Sequence, residues 1–126
     1  MNTGKSLTKA EEQVMHVLWK LGKGFLKDII ESTPEPKPHP NTIATVLKIL
    51  VEKGFVEYSV HGRNNLYKPM IGRTEYGKKS ANQLLKGYFE GSPARLVSHF
   101  ISDHKLSEAE LEQLLQQIQS AKNNKS

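Results

Sequence analysis

The sequence predicts a mainly α-helical fold with one small β-hairpin, and three observations carry that expectation. Apolar residues recur at helical spacing in six stretches along the 126 residues. β-Branched and aromatic residues concentrate between positions 55 and 71, around the turn-forming run "GRNN". Gly- and Pro-rich breaks, "TPEPKPHP" and "EGSP" among them, punctuate the rest.

The first helix is expected in "LTKAEEQVMHVLWKLGKG". Thr8 and Glu11 stand at capping-box spacing, and Gly22 and Gly24 close it. Val14, Val17, Leu18 and Leu21 form its apolar stripe, with Met15 on the flank. "FLKDIIEST" is a second, shorter helix anchored by Leu26, Ile29 and Ile30. The prolines of "TPEPKPHP" break the helix and deliver the chain to a new start at Pro40 or Asn41. The third helix follows, with Ile43, Val46, Leu47 and Leu50 as its buried stripe and Gly54 at its end. "FVEYSVH" alternates Val56, Tyr58 and Val60 with Glu57, Ser59 and His61, as a half-buried strand does, and "LYKPMI" returns as its partner. Pro69 is expected to hold that second strand at a sheet edge. Helix, helix, loop, helix and hairpin is the order of a winged helix-turn-helix, assigned to residues 1–72.

Residues 73–126 read as helical throughout. "TEYGKKSANQLLKGYFEG" aligns Ala81, Leu84, Leu85 and Tyr88 on one side. "SPARLVSHFISDHK" has Ser92 as cap, Pro93 in the first turn, and Leu96, Val97, Phe100 and Ile101 as its stripe. Ser107 and Glu110 form another capping box before Leu111, Leu114, Leu115 and Ile118, and the tail "NNKS" reads as disordered. Helices of about 11 to 15 residues are marginal alone in water, and two or three rarely fill a core. A partner chain presenting the same helices is the economical solution, so this region is expected to be a dimerisation region. Packing back onto the N-terminal domain is the alternative.

The third helix raises a functional question. Opposite its buried stripe lie Asn41, Ala44, Thr45, Lys48 and Glu52, with Thr42 and Ile49 on one flank. That outer face is short and lightly charged, where most solvated faces carry Glu, Lys and Gln. A helix entering a major groove must bring its backbone near base edges. Thr and Ala offer methyls to thymine, Asn pairs with adenine, and Lys48 reaches a guanine or a phosphate. The helix N-terminus is expected to add backbone N–H groups beside phosphates. Arg63, Asn64 and Asn65 sit where a wing makes a second phosphate or minor-groove contact. The net charge of +5 and pI of about 9.4 suit a polyanionic partner. Positive charge clusters locally, since Arg63, Lys68, Arg73, Lys78 and Lys79 are accompanied only by Glu75.

Other functions find less in the residues. Cys is absent, which excludes disulfides and thiolate metal sites and points to a reducing cytoplasm. His16, His39, His61, His99 and His104 are scattered, and no phosphate loop or Ser/His/Asp context is present. No catalytic residue, metal ligand or cofactor is therefore assigned. No apolar run approaches the ~18 residues of a membrane helix, so no membrane insertion is expected, and the N-terminus lacks the apolar core of a secretory signal. A winged helix used for protein or RNA contacts stays open as an alternative. So does a small-molecule regulator with Tyr58, Tyr88 and Phe89 lining a pocket in a dimer core.

With those residues in place, the chain resembles the penicillinase-repressor family of the BlaI/MecI type over most of its length. "LTKAEEQVMHVLW" is similar to the family's opening helix through Glu11, Val14, Met15 and Trp19. "PNTIATVLKILVEKGFV" resembles its recognition helix, a Ser-Pro-Lys-Thr-Ile-x-Thr pattern followed by Leu positions and Lys-Gly, and "SHFISDHKLSEAELEQL" resembles its C-terminal segment. The resemblance implies a homodimeric repressor on palindromic double-stranded operator DNA, often controlling a β-lactamase gene. It also implies a membrane-bound sensor protease and induction by cleavage at an Asn-Phe bond, which aligns with His99–Phe100. Here Phe100 matches and His99 departs from the pattern. Asn41 stands where the family usually has Lys, and Ala44 where a longer polar residue is common, so the bases read here are expected to differ. The family's copper-responsive branch carries a C-terminal Cys cluster that this chain lacks.

Overall fold

The computed structural model describes residues 6–124. In chain order they form α1 (Lys9–Leu21), β1 (Gly24–Phe25), α2 (Leu26–Ser32), α3 (Pro40–Lys53), β2 (Val56–His61), β3 (Asn64–Pro69), α4 (Arg73–Tyr88), α5 (Pro93–Ser102) and α6 (Glu108–Asn123). The chain divides into two compact units, Met1–Ser80 and Ala81–Ser126, with the division inside α4. Of the tail "NNKS", Asn123 ends α6 and Asn124 is its C-cap, while 125–126 lie outside the described residues.

Local chemistry sets the helix ends of the first unit. Thr8 Oγ1 accepts from the Glu11 amide at 3.2 Å, and the Thr8 amide donates to Glu11 Oε1 at 3.0 Å, completing the capping box. The buried stripe of α1 is Val14, Met15, Val17 and Leu18. Met15 is fully buried rather than flanking, whereas Leu21, in the last turn, is exposed. Ile29 anchors α2. The Lys37 ammonium returns to donate to the Ile30 and Glu31 carbonyls, both at 3.2 Å, at the C-terminal end of α2. α3 starts at Pro40, buries Ile43, Val46, Leu47 and Leu50, and stops at Gly54, which lies in the left-handed region with φ +85°. These stripes meet around Phe55, Val56 and Ile71 to form the core.

One carboxylate is built into this core. Glu11, 5% exposed, accepts through Oε1 from Lys53 Nζ at 2.7 Å as well as from Thr8, and so ties the start of α1 to the end of α3. Burial pushes its carboxyl up, but the Lys53 ammonium and the Thr8 groups outweigh that and hold it below the ordinary value. A depressed folded-state pKa adds stability that is complete above the unfolded carboxylate range and is lost as pH falls through the folded value. Lys53→Met strands Glu11 and should cost about 2–3 kcal/mol at pH 7. Urea melts at pH 7 and at a series of falling pH values should show that difference shrinking as Glu11 takes up its proton below the ordinary carboxylate range; a pH-independent difference would exclude the ion pair as its cause.

The sheet departs from the expectation in three ways. β1, too short to be read from periodicity, pairs Gly24 with Tyr67 and Phe25 with Leu66. The strand order is therefore β1-β3-β2, and β3 is central rather than an edge. Pro69 is tolerated because it closes the strand opposite Val56, beyond the reach of β1. Nor is β2 half-buried: Val56 is in the core, but Tyr58 and Val60 are 49% and 68% exposed. The core ends at the base of the hairpin, and the remainder of β2 projects past it as a wing.

In the second unit, Ser92 Oγ caps α5 through the Arg95 amide at 3.2 Å, and Ser107 with Glu110 closes the capping box of α6. Glu90 and Gly91 turn the chain between α4 and α5 with positive φ, and Glu90 pairs with Arg95 at 3.2 Å. The apolar stripes here stay open to solvent. Leu84, Tyr88, Val97, Phe100, Ile101, Leu111, Leu115 and Ile118 are exposed, and Leu96 and Leu114 are half-buried. Leu85 alone among the eleven expected interface residues is buried within the chain. Tyr88 and Phe89 line a cleft with Arg95 and His99, whereas Tyr58 lies against Tyr67 in the sheet at 6.0 Å between ring centroids.

Candidate nucleic-acid interface

The third helix positions the first group of candidate residues. Asn41, Thr42, Thr45, Lys48 and Glu52 are exposed, and Ala44 and Ile49 are half-buried at the edges of that face. Thr45 Oγ1 donates to the Asn41 carbonyl at 2.9 Å. Its hydroxyl proton is therefore engaged within the helix, and the methyl is the group it retains for an apolar contact. Lys48 and Glu52 make no ion pair among the described residues, so Lys48 is free to meet an anion.

The N-terminus of α3 corrects an expectation. Its first-turn amides are not available for phosphates. Pro40 has no N–H, Asn41 N–H donates to His39 Nδ1 at 3.0 Å, and Thr42 and Ile43 N–H donate to the His39 carbonyl at 2.9 and 3.2 Å. His39 is thus the N-cap, a role taken more often by Ser, Thr, Asp or Asn. Its position just before a helix-starting Pro was the signal for it in the sequence.

The wing supplies the second group. β2 and β3 are joined by the two residues Gly62 and Arg63, with His61 paired to Asn64 and Val60 to Asn65. Gly62 has φ +64° while Arg63 does not adopt positive φ, which suits a hairpin turn with Gly first. Arg63 and Asn64 are exposed at the tip and Asn65 is half-buried. Together with Lys27, Asp28, Phe25 and Tyr67 they line a cleft between the wing and the start of α2. Lys27, unremarked in the sequence, is brought beside the wing because Phe25 pairs with Leu66 of the central strand. The basic cluster is smaller than its composition suggests. Lys68 lies across the ladder from Glu57 and pairs with it at 3.2 Å.

The unit thus presents a helix face of short polar side chains and a cationic wing tip on one small scaffold. Among the described residues no group of three or more His, Cys, Asp or Glu side chains is placed to hold a metal ion, and no helix is long and apolar enough to cross a membrane. The family model described as penicillinase repressor matches residues 7–120. The penicillinase repressor of Bacillus licheniformis is 28% identical over 120 residues, covering 94% of each chain. The methicillin resistance regulatory protein MecI of Staphylococcus aureus is 25% identical over 114 residues, covering 90% of this chain and 93% of its own. Among solved structures, the DNA binding domain of the repressor BlaI aligns with a TM-score of 0.51 and 30% identity, over 56% of this chain and 88% of that domain.

Proposed function

The chain belongs to the penicillinase repressor family, and from that membership we propose that it is a cytoplasmic transcriptional repressor binding palindromic operator DNA as a homodimer. The observation that carries this reading is the outer face of α3, where Asn41, Thr42, Thr45 and Lys48 are exposed and short enough to let the helix enter a groove. Asn41, Thr42, Ala44, Thr45 and Lys48 read bases, while Arg63, Asn64 and Asn65 hold the backbone from the wing. Residues 1–72 are the DNA-reading domain and residues 73–126 the dimerisation region. The exposed stripes of α5 and α6 support a second copy as their cover.

Relief of repression is assigned to proteolysis at His99–Phe100 by a membrane sensor protease. Both residues are exposed in the last turns of α5, which supports access once that helix frays. A cut there would divide one helix of a small shared core and weaken the dimer.

Selection of bound sequences from a random duplex pool tests the function. The expected result is an inverted repeat with half-sites about one or two helical turns apart. Recovery of no motif above background would instead favour a module for protein or RNA contacts. Arg63→Ala should weaken binding to every duplex alike and lower the slope of log affinity against log salt by roughly one for each phosphate lost. A change in base preference would instead make Arg63 a base reader.

A further inference from the structure

We propose that the cleft between α1 and the start of α4 binds a small planar organic anion. The cleft has a volume of about 540 Å³ and is lined by His16, Trp19, Lys20, Pro69, Gly72 and Arg73. That size lies within the range that holds small organic ligands, roughly 300–1,000 Å³.

Its charge distinguishes it. Lys20 and Arg73 make no ion pair or hydrogen bond from their side chains among the described residues, and no carboxylate lines the walls. Three further clefts mix signs: Glu90 with Arg95 in the second unit, Glu12 with Lys9 and Lys20 on the other flank of α1, and Asp28 with Lys27 and Arg63 at the wing. A concave site lined by one sign of charge concentrates counter-ions. Gly72, which opens α4 by accepting from the Tyr76 amide at 3.0 Å, brings no side-chain acceptor to cap the first turn.

The floor is aromatic and fixed. Trp19 Nε1 donates to the Ile71 carbonyl at 2.8 Å, and the indole is flanked by His16, edge-on at 5.2 Å, and by Tyr76 at 6.0 Å. Its N–H is thus engaged, and what remains for a ligand is apolar ring surface. A flat ligand packs its body on that ring and on Pro69 while its carboxylate meets Lys20 and Arg73. None of the candidate DNA-reading residues lines this cleft, and the proposal does not depend on the DNA-binding reading.

Trp19 is the only Trp in the chain, so its fluorescence reports occupancy directly. The full-length protein would be titrated with benzoate, with its neutral isostere benzamide, and with inorganic phosphate. Benzoate is expected to give a saturable change and to bind at least about tenfold tighter than either comparator. A Lys20→Met/Arg73→Gln variant, with its fold checked by circular dichroism, should weaken benzoate at least about tenfold. The proposal is overturned if benzoate gives no saturable signal, if benzamide matches it, or if phosphate binds as well. Unchanged benzoate affinity in the folded variant would also overturn it.

Discussion

Leu47→Ala should destabilise the first unit by about 3–4 kcal/mol and lower its melting temperature by roughly 15 °C or more. Leu47 is fully buried on α3, and α3 packs against α1, α2 and β2, so the cavity would open where these elements meet. Little nearby can collapse into it, because Met15, Leu18, Ile29 and Leu50 around the same core are themselves fully buried. Total stabilities of small domains are about 5–15 kcal/mol, so this single change removes a large part of the margin. Val60→Thr, on the exposed part of the wing, is the matched control and should cost within about 0.5 kcal/mol. Chemical denaturation of the two variants checks the contrast. Equal losses would mean that the core does not end at Val56.

Phe100→Asp combined with Leu115→Asp should leave the chain folded and convert the proposed dimer to monomer, with operator affinity reduced about 100-fold or more. Both side chains are exposed in a single chain, so the substitutions create no cavity within it. In a two-fold interface each would place a carboxylate in an apolar seam, and twice over because the contact is symmetric. The loss on DNA arises because one half-site no longer delivers the other at high effective concentration. Sedimentation equilibrium and anisotropy on an operator-length duplex measure the two effects. A variant that stays dimeric would move the interface away from α5 and α6.

Features set by a few neighbouring residues were legible in the sequence. The Thr8–Glu11 and Ser107–Glu110 boxes, the Ser92 cap, the stop at Gly54 and the buried stripe of α3 all follow from spacing alone, and the structure bears them out. The outer face of α3 was legible for the same reason, being the complement of that stripe. What needed register was not. Two residues of β1 carry no periodicity, yet they make β3 the central strand and bring Lys27 to the wing. The pairing of Lys68 with Glu57 depends on which residues face each other across the hairpin. Alternation in β2 marked a strand, but how far the core extends beneath it is a tertiary fact, and it stops at Val56. At the start of α3 the place of His39 before Pro40 marked the cap position, but the bond from the Asn41 amide to its ring was not legible, because helix rules describe side-chain oxygens of Ser, Thr, Asp and Asn in that role.

Reading of bases by α3 is tested most directly by binding affinities at one fixed salt concentration. Wild type and a Thr45→Ala/Lys48→Ala variant would each be measured on the selected duplex and on a scrambled duplex of equal length. Both positions are exposed, and alanine favours the helix, so the variant should keep its fold. Its affinity for the selected duplex is expected to fall about 100-fold, approaching its own affinity for the scrambled one. A variant that keeps the wild-type ratio between the two duplexes would contradict recognition through this face.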